Sequence, residues 1–258
     1  MNNDFQESTI IIPNTWYDNL SLSNEELTVL ILLYRNYIHY HSVSLCSIEM
    51  LCSYMFINSS SNKKIVGILT DIFLSLSKKG FIISSYDLHY SNISIDNIQN
   101  KNKNYLFYVE LPSTPANDYL IIKNKEIDSI FQHLHNSNLG KFSLIRYFIA
   151  CRRSCNNDSK FGYLTQGKLK QLVTDSRTIQ RYNNILQDEL HLIRYDNNYW
   201  TKEKHYNTTF IGLYDDKKNF DFQIKCKVDE LGLIYTDKKE SNIKRSVTQK
   251  INNKSFDF

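Results

Sequence analysis

Between Tyr163 and Trp200 the chain reads YLTQGKLKQLVTDSRTIQRYNNILQDELHLIRYDNNYW, and the spacing of its apolar and turn residues governs how the rest is read. Residues Thr165 to Val173 carry Leu164, Leu169, Leu172 and Val173 as apolar positions of a helix, with Thr165 suited to cap it. Thr174-Asp175-Ser176 has Asx- and Ser-turn chemistry and is short enough to force a sharp angle between helices. A second helix is expected from Ser176, as its N-cap, to about Leu190. Its inward face is Ile179, Tyr182, Leu186 and Leu190, spaced 3, 4 and 4. The opposite face holds Arg177, Gln180, Arg181 and Asn184. Leu192 to Tyr195 then reads as a strand, Asp196-Asn197-Asn198 as a hairpin turn, and Tyr199-Trp200-Thr201 as the return strand.

Helix, tight turn, helix and hairpin is the plan of a winged helix-turn-helix, which exposes the first turns of its second helix. The run Ser176 to Tyr182, SRTIQRY, followed by Ile185-Leu186 and Leu192-Ile193, resembles the recognition helix and strand of bacterial winged-helix DNA-binding proteins. The resemblance implies double-stranded DNA as the partner. The side chains fit that chemistry: Arg177 and Arg181 can span guanine O6 and N7, while Gln180 and Asn184 suit adenine N6 and N7. Ser176 and Thr178 suit phosphates, and Arg194, Lys202 and Lys204 on the hairpin would reach the DNA backbone. The competing use of such a unit is to bind protein, and the competing role of each single residue is a solvated surface side chain.

The chain of 258 residues is long enough for two domains with modest cores. Lys and Arg number 31 against 27 Asp and Glu, a net charge of +4, so nucleic-acid binding must be argued from local patches. No apolar run reaches the length of a membrane span, and Met1 to Ser8 is polar, so a cytoplasmic protein with no membrane partner is expected. Five cysteines without an export signal are expected to be reduced thiols. The abundance of Asn, Ile, Lys and Tyr fits an AT-rich genome and bears little on function.

Read from the start, Ile10-Ile11-Ile12-Pro13 is an edge strand and Trp16, Tyr17 and Leu20 form a short helix. Ser23 to Glu26 forms a capping box for a helix over Leu27–Tyr40. A second helix is expected over Ser44–Met55, and a third opens at Ser59 and closes at Lys78-Lys79-Gly80. Phe81-Ile82-Ile83 and Tyr105–Leu111 are the strands of a hairpin, separated by a polar loop over Asn92–Asn104. Ser60, Ser61, Asn62, Lys63 and Lys64 take the place that Ser176 to Arg181 take in the second half, without an arginine, so they point to backbone contact more than base reading. After Pro112 to Pro115 the order restarts with a strand at Tyr119 to Ile122, a short helix from Glu126 and an apolar helix from Phe142. The offsets Ile12 to Ile122 and Ile82 to Ile193 are 110 and 111, which favours an internal duplication of architecture.

The fold class expected is therefore mainly α with small β-wings, in two tandem winged helix-turn-helix domains at 1–112 and 113–235, with a basic, disordered tail at 236–258. Residues 205–235 alternate aromatic and polar positions and should pack on the second domain, and Lys239, Lys244, Arg245, Lys250 and Lys254 make the tail basic. The opening of the first half, from Ile11-Ile12-Pro13 through Leu22-Ser23-Asn24-Glu25-Glu26-Leu27 to Leu33-Tyr34-Arg35, resembles the N-terminal domain of the DnaD family of replication-initiation proteins. It is similar, too, to the N-terminal domain of plasmid replication initiators of Gram-positive bacteria. The resemblance covers about 75 residues. It implies initiation of plasmid or phage replication, with a homodimer or replication proteins as further partners, and a transcriptional regulator as the alternative role. The second half departs from the helical C-terminal domain of DnaD.

Catalytic chemistry finds no foothold. Cys151 and Cys155 lie one helical turn apart with no further Cys pair or His at zinc spacing. Seven glycines form no phosphate loop, and no nucleophile elbow is present. No enzyme, metal or cofactor is expected.

Overall fold

Ser23 and Glu26 start the first long helix by exchanging hydrogen bonds. The Ser23 hydroxyl accepts from the Glu26 N–H at 3.1 Å, and the Glu26 carboxylate accepts from the Ser23 N–H at 2.6 Å. The structure, a computed structural model, describes residues 8–16, 19, 21–38, 40–58, 63–98, 102–113, 118–135, 141–155, 159–173, 175–201 and 207–235. Their contacts form two units, Met1–Ala150 and Cys151–Phe258.

The first unit runs β1 (Thr9–Pro13), α1 (Asn24–Arg35), β2 (Tyr37–Ile38), β3 (Val43–Cys46), α2 (Ile48–Tyr54), α3 (Lys63–Lys78), β4 (Ser84–Tyr86), α4 (Ile95–Ile98), β5 (Phe107–Glu110), β6 (Tyr119–Lys123), α5 (Asn124–His135) and α6 (Lys141–Ser154), whose last turn passes into the second unit. In α1 every residue from Glu26 to Tyr34 is buried, as befits a central helix apolar nearly all round. Glu26, itself buried, is reached by Lys79 Nζ at 2.7 Å to both carboxylate oxygens, which ties the end of α3 to the start of α1. Arg35 donates to both oxygens of Asp128 at 2.6 and 3.0 Å.

The sheet order β2-β3-β5-β4 is antiparallel throughout. Ser44, Val109 and Ser85 form one buried row across it, while the neighbouring row, Leu45, Tyr108 and Tyr86, is half-buried. The helix expected over Ser44–Met55 is thus strand β3 followed by α2. The switch falls at Ser47, whose hydroxyl accepts from the Met50 N–H at 3.1 Å and caps α2. The helix expected to reach Tyr40 stops at Arg35 and gives way to β2. β1 and β6 pair antiparallel, Ile10 opposite Ile122 and Ile12 opposite Leu120, all four buried. By contacts the chain divides within α6, between Ala150 and Cys151.

The second unit continues with β7 (Phe161–Thr165), α7 (Gln166–Leu172), α8 (Ser176–Asn184), a π-helical turn at Ile185–Glu189, β8 (Ile193–Thr201), β9 (Asn207–Leu213), α9 (Lys217–Leu231) and β10 (Leu233–Tyr235). Its sheet order is β10-β8-β9-β7. One face of this sheet carries a core of Phe161, Phe210, Phe220, Ile224 and Leu233, with Tyr199 and Val228 against it, so α9 covers that face. Two glycines permit the close approaches. A Cβ at Gly212 would lie 2.5 Å from the Phe220 ring, and one at Gly162 would lie 1.8 Å from the Ser154 carbonyl oxygen.

The expected fold class is corrected by the strands. A mainly α protein of two tandem winged helix-turn-helix domains with small β-wings does not describe this chain. Its described residues form three antiparallel sheets, two of them four-stranded, and the fold is α+β. Strands β2, β3, β7, β9 and β10 supply the difference. The hairpin turn expected at Asp196-Asn197-Asn198 is a bulge inside the single strand β8, where the register with β9 shifts between Asp196 and Tyr199. The return strand is β9.

Candidate nucleic-acid interface

Helix α8 begins one residue earlier than its sequence cap predicts. Asp175, in extended conformation, is the N-cap: its carboxylate accepts from the Arg177 and Thr178 N–H groups and from the Thr178 hydroxyl, each at 3.2 Å. Ser176 is the first helical residue and is exposed. These bonds, that from the Arg177 N–H foremost, hold the Asp175 carboxyl below the usual carboxylate range. A negative charge already sits on the helix N-terminus, and the phosphate role expected of Thr178 meets a hydroxyl that is engaged.

Beyond the cap the helix divides cleanly. Ile179, Tyr182, Asn183, Ile185 and Leu186 are buried. Arg177, Gln180, Arg181 and Asn184 are exposed along one stripe at helical spacing. At 1.5 Å per residue the stripe is about 10 Å long, within the width of a major groove. The π-helical turn, closed by the Leu190 N–H on the Ile185 carbonyl at 2.9 Å, ends the stripe, and the exposed acids Asp188 and Glu189 follow it. Neither the Gln180 nor the Arg181 side chain has a hydrogen bond or ion pair to another described residue.

The outermost stripe residue, Asn184, is differently placed. The Tyr195 hydroxyl, reaching from β8, donates to its Oδ1 at 2.7 Å. Arg194 is not a free hairpin cation: its guanidinium lies 4.3 Å over the Tyr214 ring, on which His191 also stacks at 4.5 Å. Lys202 and Lys204 lie outside the described residues, as do Ser60, Ser61 and Asn62. Lys63 opens α3, and Lys64 is exposed on it beside Gly67, Ile68 and Asp71.

Sequence reasoning missed Lys168 and Lys170, both exposed on α7, the helix that precedes α8. The alternation Lys-Leu-Lys around buried Leu169 was the available signal. Sequence reasoning read Asp175 as a turn residue and not as the cap, and it missed Tyr195, whose partner on α8 leaves no spacing pattern. Cys155 is buried beside Cys151, its thiol pushed up to about 11 by burial. Among the described residues no group of three His, Cys, Asp or Glu stands together to hold a metal ion, and no helix is long and apolar enough to cross a membrane.

Comparison of the chain with protein-family models finds no match, and comparison with curated proteins finds none.

Proposed function

We propose that the chain binds double-stranded DNA by placing the exposed stripe of α8 in the major groove. The observation that carries this reading is the pairing of Arg177, Gln180, Arg181 and Asn184 on one solvent face with Ile179, Tyr182 and Leu186 fully packed behind them. Such a helix is rigidly mounted, and its outward donors match base edges: Arg181 can span guanine O6 and N7, and Gln180 can meet adenine N6 and N7. Lys168 and Lys170, exposed on the preceding helix α7, support this reading as cations for flanking phosphates, contacts that position a helix without reading sequence. The resemblance of residues 11–35 to the opening of DnaD-family and plasmid initiators supports reading this binding as part of the initiation of plasmid or phage replication in the cytoplasm.

The test is selection from a random-sequence duplex library, followed by affinity measurements on the enriched duplex and a scrambled one at fixed salt. Arg181→Ala should cost about 1–3 kcal/mol of discrimination while changing stability by no more than about 0.5 kcal/mol. Enrichment of no sequence, or full retention of the preference by Arg181→Ala, overturns α8 as the reader. Repeats of the enriched sequence beside the gene would agree with initiation, and a single palindrome over a promoter would move the role to transcription.

A further inference from the structure

The hydrogen bond from Tyr195 to Asn184 bears on what the last residue of the stripe can read. Tyr195 is half-buried on β8, in register with buried Ile211 of β9. It is fastened to the far end of α8 by two bonds. Its N–H donates to the Gln187 side-chain oxygen at 2.9 Å, and its hydroxyl donates to Asn184 Oδ1 at 2.7 Å. The strand pairing leaves this N–H available, because β10 reaches β8 only at Tyr199 to Thr201. The Asn184 side chain is otherwise exposed, and its Nδ2 meets no other described residue.

We infer that Tyr195 is a positioning residue for DNA specificity: by holding Asn184 Oδ1 toward β8 it turns the amide so that only the Nδ2 donors face the groove, and Asn184 then selects guanine rather than adenine. An asparagine reads adenine by offering one acceptor to N6 and one donor to N7 together. With its oxygen held on a tyrosine hydroxyl, one of its two lone pairs is occupied, and the two N–H groups are the donors left to face outward. Guanine presents two acceptors, O6 and N7, on the same edge and no donor there. The matched partner is therefore guanine, which replaces the adenine that residue type alone would assign to this position. A bond of this kind sets the reading group's orientation without touching the ligand. The inference rests on α8 being the DNA reader.

The experiment compares base preferences of the full chain and three variants, Tyr195→Phe, Asn184→Ala and Asn184→Asp, each selected on the same random-sequence duplex library with melting temperature measured alongside. Asn184→Ala should flatten one position of the enriched motif. Asn184→Asp keeps an acceptor for Tyr195 but removes the donors, and should lose guanine at that position. Tyr195→Phe keeps the ring and frees the amide, and should raise adenine over guanine there by roughly fivefold or more, the low end of what a bidentate base contact discriminates. Guanine that persists in Asn184→Asp, or a Tyr195→Phe profile identical to that of the unaltered chain, overturns the inference while the reading through Arg181 stands. Failure of the unaltered chain to enrich any sequence removes both.

Discussion

Helices α3 and α8 hold the same place in two similar orders of elements, yet they meet solvent with different chemistry. Each closes a helix pair and is followed by two antiparallel strands, and each such pair shares its sheet with a preceding strand in the same way, β3-β5-β4 and β7-β9-β8. Over its first described turns α3 presents Lys64, Gly67, Ile68 and Asp71, one cation beside one acid around an exposed isoleucine, with Lys78 exposed at its end. α8 presents two arginines with two amides and no acid within the stripe. The sheets differ as well. The outer face of the second is sealed by α9 through Phe220 and Ile224, while on the first Tyr90, 55% exposed, stacks on Tyr108 at 5.0 Å. Shared order of elements does not carry shared surface. Of the described side chains on the two helices, only those of α8 bring arginines and amides together on one exposed stripe.

The largest expected effect concerns the sheets. Phe210 is fully buried under α9, so Phe210→Ala should destabilise by about 3–5 kcal/mol in urea melts. Tyr108→Ala, at a half-buried position, should cost clearly less. Equal costs would erase the contrast between a sealed and an open face.

Next in size is the tie at the end of α3. Burial raises the pKa of Glu26, but its hydrogen bonds from Lys79, Ser75 and the Ser23 N–H outweigh that and leave it below the ordinary carboxylate value. A lowered folded-state pKa means the stabilisation is present above the unfolded value, about 4.3, and is lost as pH falls through the lower folded one. Glu26→Ala should cost about 1.5–3 kcal/mol at neutral pH. Melting temperature followed from pH 7 downward, over a window beginning at about 4, should fall less steeply in Glu26→Gln than in the unaltered chain. An identical acid profile in that variant would show that the tie is not what α3 depends on.

Smaller effects separate the two helices directly. Arg177→Ala should remove about 1–3 kcal/mol of sequence discrimination. Lys64→Ala should weaken all duplexes alike, lowering the salt slope by about 0.9 if it meets a phosphate, and leave the preference intact. A loss of preference in Lys64→Ala would move the reader to α3.

The sequence revealed the elements whose periodicity is long or whose caps are chemical. α1 was legible because Ser23 and Glu26 spell a capping box, and α8 because Ile179, Tyr182 and Leu186 fall on one face. β3 was hidden because Val43-Ser44-Leu45-Cys46 leads without a break into α2 and the apolar positions run on at a spacing that also suits a helix. β8 was cut short because Asn197-Asn198 carries turn chemistry that the fold uses for a bulge, with the Asn198 N–H on Asp196 Oδ1 at 3.0 Å. The same limit holds around α8. The exposed arginines could be read from spacing, whereas the stacking of Arg194 on Tyr214 and the bond from Tyr195 to Asn184 join residues 20 and 11 positions apart and exist only once β8 and β9 are in place.

Backbone hydrogen exchange of the full chain, with and without the duplex enriched from a random library, tests most directly that one helix reads and its counterpart does not. Binding should slow exchange across Ser176 to Asn184 and the flanking α7, and leave Lys63 to Lys78 unchanged. Slowed exchange in α3 with α8 unaffected would contradict the assignment of DNA reading to the second unit.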